Sequence, residues 1–140
     1  MLHMTKLAVG VRDIEHLREL QAERAEHNPP LRHRTRNFPR RRDEILEGGS
    51  MYWVVSGAML VRQRILDIIE DRWDDSSACA GLILDPLLVP VAGRAAKPFQ
   101  GWRYLPADDA PPDLATLRPA RGEAALPPGL RQELRALCLL

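Results

Sequence analysis

The feature of this sequence with the clearest chemical potential is a block of arginines. Between Leu31 and Arg42, six of the twelve residues are arginine and none is acidic, although the chain of 140 residues has a net charge of only +1. Closely spaced guanidinium groups repel one another unless water, carboxylates or an anionic partner relieve them. The block therefore predicts a face that binds anions or nucleic acid, with phosphate contacts assigned to Arg34, Arg36, Arg40 and Arg41.

The spacing of the first arginines supports this prediction. In the segment from Leu31 to Phe38, Arg32, Arg34 and Arg36 alternate with other residues, as they would on one face of a β-strand. Their side chains would then lie about 7 Å apart, which is close to the spacing of phosphates along a nucleic-acid strand.

Aromatic residues in two predicted strands offer surfaces on which bases can stack. One strand contains Tyr52 and Trp53, and the other contains Trp102, Arg103 and Tyr104. Because neighbouring residues of a strand point to opposite faces, at most one member of each adjacent pair is expected in the core. The stacking candidates are therefore Trp53, Trp102 and Tyr52, which could hold RNA bases while the arginines hold phosphates.

Two alternative functions stay open. Arg62 and Arg64 interrupt an apolar strand, and with Arg103 they could line the pocket of a small-ligand-binding protein or enzyme for a carboxylate or phosphate metabolite. They could instead pair with acids, since an isolated buried charge is costly. The arginine block could likewise pair with the acidic stretch Asp67–Asp75, within one molecule or between the subunits of a structural homodimer.

The sequence names no catalytic or metal centre. The two cysteines, Cys79 and Cys138, are far apart, and no metal-ligand spacing, nucleophile elbow or dinucleotide fingerprint is present, so no cofactor and no metal are predicted. Of the four histidines, only His33 has a neighbourhood that suits a site. Its flanking residues Arg32 and Arg34 favour the neutral imidazole.

The bulk properties fit a single domain over residues 1–140 with 45% hydrophobic residues. The longest apolar stretch, 78–91, is interrupted by Asp85, Pro86 and Pro90, so no membrane span is expected. The first residues lack the layout of a signal peptide, which predicts a cytoplasmic protein.

The predicted elements describe an α+β fold. Asp13 is expected to cap a helix that ends at His27, a short helix from Pro39 to Glu47 should stop at Gly48, and Ser56-Gly57 should form a hairpin turn. Strands are expected at 6–11, 31–38, 51–55, 59–69, 78–84 and 99–105, and residues 87–91 either continue the strand 78–84 past a break at proline or start another. They should form one curved, mostly antiparallel sheet with two or three helices. A Pro/Ala-rich extended segment (106–128) and a short helix (129–138) complete the prediction.

Two stretches of sequence carry a family resemblance. Gly48-Gly49-Ser50-Met51-Tyr52-Trp53 and Phe99-Gln100-Gly101-Trp102-Arg103-Tyr104-Leu105 resemble an uncharacterised bacterial family of single-domain proteins, domain of unknown function 1489. The resemblance covers nearly the whole chain. The family has no established activity, and the resemblance therefore implies no catalytic residues.

The order of elements has a second, weaker similarity, to PUA-like pseudo-barrels such as the ASCH and EVE domains. That similarity implies a binding module for RNA or modified bases. ASCH proteins usually carry a Gly-x-Lys-x-x-Glu-x-Arg signature near the short helix, and the segment Arg40–Gly49 has no such lysine. The similarity therefore implies a fold and not a hydrolytic activity.

Overall fold

The structure is a computed structural model that describes residues 1–117. Its centre is one six-stranded sheet with the order β2-β5-β4-β3-β1-β6. The strands are β1 (Leu2–Leu7), β2 (Arg32–Thr35), β3 (Ser50–Val55), β4 (Ala58–Arg72), β5 (Ala78–Ala95) and β6 (Trp102–Pro106). Only β1 and β3 pair in parallel; every other neighbouring pair is antiparallel. The predicted α+β fold with a mostly antiparallel sheet is confirmed.

The helices are short apart from α1 (Ile14–His27); the others are α2 (Arg42–Leu46), a 3₁₀ turn (Ala107–Asp109) and α3 (Leu114–Leu117). Asp13 caps α1 as predicted, because its Oδ1 accepts the His16 N–H at 2.7 Å. Gly48 ends the turn after α2 with a φ of +118°, a conformation that favours glycine. Gly49 is held even more closely, since a Cβ there would lie 2.2 Å from the Leu2 carbonyl oxygen.

The sheet curls strongly. β2 and β3 are three positions apart in the strand order, which would separate them by about 14 Å in a flat sheet. Nevertheless, the ring centroids of His33 in β2 and Trp53 in β3 are only 5.1 Å apart. Irregular registers in the long strand pair β4–β5, around Met59 and Gln63, allow the bend. Among residues 1–117, β2 and β6 each pair along one edge only, so the curled sheet stays open.

Each face of the sheet carries its own apolar cluster. The larger cluster packs under α1 and α2 and includes Met4, Ile45 and Trp53. The smaller cluster, on the other face, includes Tyr52, Val91 and Leu105. The prediction that only one of Tyr52 and Trp53 would be in the core was wrong. They do point to opposite faces, but both faces are covered, so the two side chains are 4% and 3% exposed.

Several element boundaries differ from the predictions. The first strand is Leu2–Leu7 and not 6–11, because Leu2 and Met4 supply buried side chains and the chain turns at Gly10, whose φ is +77°. The strand predicted at 78–84 continues through two prolines to Ala95. The strand predicted at 31–38 ends at Thr35, so Arg36 does not share a strand face with Arg32 and Arg34. The second helix begins at Arg42, three residues after Pro39.

The segment 106–128 was predicted to be extended, but its described part contains the 3₁₀ turn and α3. The rest of this segment and the helix predicted at 129–138 lie outside the described residues.

Candidate anion-binding sites

Half of the arginine block is paired with the acidic stretch of the same molecule. Arg34 bonds Asp71 and Asp74, each at 3.3 Å, and the Nε of Arg32 also lies 3.3 Å from the shared Oδ2 of Asp71. Arg42 donates to Asp67 Oδ1 at 2.6 Å and to the Ile68 carbonyl oxygen. These pairs exist within one chain, and the homodimer joined by the same patches stays a prediction.

Arg41 is also occupied, by its helix neighbour Glu44. Its Nε and Nη2 donate to the two carboxylate oxygens at 3.0 and 2.6 Å. The hydrogen bond from Arg41 lowers the pKa of Glu44 below its ordinary value, and the same bond raises the pKa of Arg41. Because the pair is exposed, its contribution to stability is small. Arg41 is therefore not a free guanidinium.

Arg36 and Arg40 differ from their neighbours. Both are exposed, and neither forms an ion pair with any residue among 1–117. They line a cleft of about 440 Å³ that we call the arginine–aromatic cleft; its residues are Arg36, Asn37, Phe38, Arg40, Trp102 and Tyr104. The cleft thus joins the two features that the sequence analysis singled out, the basic block and the aromatic strand.

Two hydrogen bonds hold the cleft together. Trp102 Nε1–H donates to the Asn37 carbonyl oxygen at 2.9 Å, and the Arg41 backbone N–H donates to the Tyr104 hydroxyl oxygen at 3.1 Å. Trp102 and Tyr104 pack edge to face, with centroids 4.9 Å apart. β6 therefore fixes the loop 36–41, and Phe38 is left 42% exposed at the rim.

A second site lies where the curled sheet stays open. This cavity, which we call the seam cavity, has a volume of about 240 Å³ between α1, β2 and the end of β1. Its polar lining residues are Lys6, Gln21, Arg24, Arg32 and His33, and its walls include Leu17, Leu20, Leu31, Trp53 and Leu84. No carboxylate lines it, so cations from three elements line one partly open space.

His33 is the unusual group of the seam cavity. Its pKa is lowered to about 4, first by burial and then by the charges of Lys6 and Arg24. Its Nε2 is buried without a hydrogen-bond partner among residues 1–117. The prediction that His33 would be neutral is confirmed, although burial and not the flanking arginines is the main cause.

Gln63 supports the floor of the seam cavity from inside the core. It is fully buried and accepts a hydrogen bond from Trp53 Nε1–H at 3.1 Å. Its amide exchanges two hydrogen bonds with Gln21, at 2.8 and 2.7 Å, and also donates to the Asp85 carbonyl oxygen. Nothing in the sequence analysis marked Gln63 or Gln21, because their partnership spans 42 residues of chain.

A third, open depression of about 520 Å³ lies on the other face of the sheet and includes His3, Ser50, Tyr52, Arg62 and Arg64. His3 Nδ1 accepts the Ser50 N–H at 3.0 Å, and burial lowers the His3 pKa and raises the Tyr52 pKa. Arg64 is exposed and has no carboxylate partner among residues 1–117.

Arg62 is already occupied in this depression. It binds both carboxylate oxygens of Asp113, at 2.6 and 2.7 Å, and also donates to Ser50 Oγ. The Arg62 hydrogen bond lowers the pKa of Asp113. Arg62 therefore fastens the segment before α3 to the sheet.

The structure does not bring Arg103 to Arg62 and Arg64. Registers place Arg103, Thr5, Tyr52 and Arg62 in one row across four strands, which separates the two arginines by about 14 Å. The Arg103 guanidinium lies 4.6 Å from the centroid of the Phe99 ring. The predicted three-arginine pocket is therefore divided, with Arg103 outside the depression.

Among residues 1–117, no group of three His, Cys, Asp or Glu side chains could hold a metal ion. None of the helices in this part of the chain has both the length and the apolar character that crossing a membrane requires.

Together, the fold and the sites define a small α+β protein with a curled open sheet and arginine-lined clefts. The chain belongs to the family described as Protein of unknown function (DUF1489), whose model matches residues 4–140. This match confirms the family resemblance drawn from the sequence. No curated protein and no solved structure matches the chain.

Proposed function

We propose that this protein is an RNA-binding module of PUA-like type that holds single-stranded RNA, or a nucleotide-like anion, in the arginine–aromatic cleft. The observation that carries the proposal is the position of Arg36 and Arg40. Both are exposed and lack a carboxylate partner among residues 1–117, and they line one cleft with Phe38, Trp102 and Tyr104. Guanidinium groups bind phosphates, and aromatic faces stack on unpaired bases.

The occupied arginines support this assignment by exclusion. Arg34, Arg41 and Arg62 already have carboxylate partners, so a phosphate would have to displace an acid to reach them. A phosphate can bind Arg36 or Arg40 without displacing a carboxylate. Arg41 instead helps to position the cleft, because its backbone N–H holds Tyr104 and its guanidinium lies 5.6 Å from the centroid of that ring.

The two unpaired guanidinium groups of the cleft, those of Arg36 and Arg40, set the expected dependence of RNA affinity on salt. Two phosphates neutralised on a single strand give a slope of about −1.4 in a plot of log affinity against log salt. Raising the salt from about 50 to about 200 mM should therefore weaken the binding of a labelled oligouridine about sevenfold. An affinity that does not change with salt would contradict the proposal.

The double variant Arg36→Ala/Arg40→Ala should weaken oligouridine binding by about tenfold to hundredfold, since it removes two charge-assisted hydrogen bonds to phosphate. Fluorescence anisotropy with the full-length chain measures this loss, and uridine monophosphate as a competitor shows whether one nucleotide suffices. The matched control is Arg12→Ala/Arg18→Ala, which removes the same charge from exposed positions outside the cleft. Equal losses in the two double variants would refute the assignment of the cleft.

Phe38→Leu tests the stacking part of the proposal separately. Leucine keeps an apolar side chain at this exposed position but removes the aromatic face, and the expected loss of oligouridine affinity is about five- to tenfold. Phe38→Tyr retains a ring and should bind like the parent protein. If Phe38→Leu also binds like the parent, Phe38 makes no stacking contact with RNA.

A further inference from the structure

We propose that the seam cavity is a second binding site, separate from the arginine–aromatic cleft, for a small planar organic anion. The ligand would be a single aromatic ring that carries a carboxylate or a phosphate. Its ring would lie against Trp53 and the leucines of the cavity wall, and its acidic group would face Lys6, Arg24 and Arg32.

The balance of charge at the cavity is the first support. Lys6 comes from β1, Arg24 from α1 and Arg32 from β2, and the lining residues include no Asp or Glu. Asp71 and Asp74 balance Arg32 and Arg34, whereas Lys6 and Arg24 form no ion pair with any residue among 1–117. The cavity therefore keeps an excess of positive charge that an anion would neutralise.

Unsatisfied polar atoms are the second support. His33 Nε2 is buried and has no hydrogen-bond partner among residues 1–117, and Arg32 Nε forms no hydrogen bond although Asp71 Oδ2 lies 3.3 Å from it. A buried polar group without a partner is costly, and native proteins therefore keep few of them. His33 lines the seam cavity, where an oxygen of a bound anion could accept a hydrogen bond from its Nε2–H.

The size and walls of the cavity define the rest of the ligand. A volume of about 240 Å³ exceeds that of an engineered apolar cavity of about 150 Å³ that binds benzene. Leu17, Leu20, Leu31 and Leu84 supply apolar walls, and Trp53 and His33 supply rings already packed edge to face. One ring with one acidic group therefore fits, and a stretch of RNA does not.

The cavity has an entrance. A neighbouring groove of about 520 Å³ shares Leu20, Arg24, Arg32 and His33 with it. The groove is also lined by Arg34 and by Trp73, which is partly exposed. The only carboxylate among its lining residues is that of Glu23. An anion approaching along this groove meets the cations of the seam cavity at its end.

Isothermal titration calorimetry on the full-length protein tests the proposal with benzoate, phenyl phosphate, inorganic phosphate and neutral benzamide. Saturable binding of benzoate or phenyl phosphate is expected, at least tenfold tighter than that of benzamide. The better of the two acids identifies the acidic group. Binding of inorganic phosphate as tight as that of phenyl phosphate, or no saturable binding of either aromatic acid, would overturn the proposal.

Arg24→Gln and Arg18→Gln form a matched pair on the same helix. Both remove one positive charge from α1, but only Arg24 lines the seam cavity. Arg24→Gln should weaken the binding of the better aromatic acid at least tenfold, whereas Arg18→Gln should change it less than twofold. Equal effects of the two variants would show that the anion does not bind in the seam cavity. Oligouridine binding at the arginine–aromatic cleft should be unchanged in Arg24→Gln.

Discussion

Gln63→Leu is expected to reduce the free energy of unfolding by about 3–5 kcal/mol, although leucine is apolar and of similar size. Gln63 is 0% exposed, and its amide bonds Trp53, Gln21 and the Asp85 carbonyl. Leucine would leave three polar groups without partners in or near the core. Such a loss is a large share of the 5–15 kcal/mol that typically stabilises a domain. Urea denaturation followed by circular dichroism measures it.

Two further variants test whether the loss of stability comes from the hydrogen bonds and not from a change of side-chain shape. Met51 is paired with Gln63 across β3 and β4 and is also fully buried. Met51→Leu conserves volume and should cost less than about 1.5 kcal/mol. Adding Gln21→Leu to Gln63→Leu should restore part of the stability, because it removes the buried Gln21 amide that Gln63→Leu leaves without a partner. A Gln63→Leu protein as stable as the parent would show that the buried network contributes nothing.

Local signals in the sequence were sufficient for several elements. The Asp13 cap was predictable because the carboxylate and the N–H that it accepts are three residues apart. The Ser56-Gly57 turn was predictable because Ser-Gly between two strand-like runs is a local turn signal, and the structure gives the two residues φ values of +51° and +86°. In both cases the interaction that decides the conformation lies within the same short segment.

The partners of the arginines were not predictable in the same way. Arg34 meets Asp71 37 residues away, and Arg62 meets Asp113 51 residues away. Which acid meets which arginine depends on the curl of the sheet, and that curl depends on irregular registers in β4 and β5. The sequence indicated that basic and acidic stretches could pair, but not that Arg36 and Arg40 would be the two members of the block left without an acid.

The seam cavity also depends on the curl of the sheet. Its cations come from β1, α1 and β2, and they approach one another because β2 folds over the face that carries Trp53. His33 was noticed in the sequence for its arginine neighbours, whereas its pKa depends mainly on burial, which a single sequence does not reveal. The same limit applies to Tyr52 and Trp53. The alternation of side chains along a strand predicts that they point to opposite faces, but not how well each face is covered.

His33→Phe is expected to stabilise the protein, and the gain should grow as the pH falls. The pKa of His33 is about 4 in the folded protein and 6.5 when unperturbed, so the unfolded chain binds the proton more readily. The contribution of neutral His33 to the free energy of unfolding is therefore fully present above about pH 6.5 and is lost as the pH falls towards 4. The loss between about pH 7 and about pH 5 should be about 2 kcal/mol in the parent protein. Phenylalanine cannot be protonated, so His33→Phe should remove most of this loss of stability at low pH.

The same substitution should also gain about 1–3 kcal/mol at neutral pH, because it removes the unpartnered Nε2 and keeps a ring against Trp53. His33→Gln separates the two effects, since glutamine does not titrate but stays polar. It should flatten the pH dependence without the gain at neutral pH. Urea denaturation at a series of pH values compares the three proteins, and His3, whose pKa burial also lowers, accounts for a residual slope. A parent protein equally stable at about pH 5 and about pH 7 would show that His33 is not held neutral by the fold.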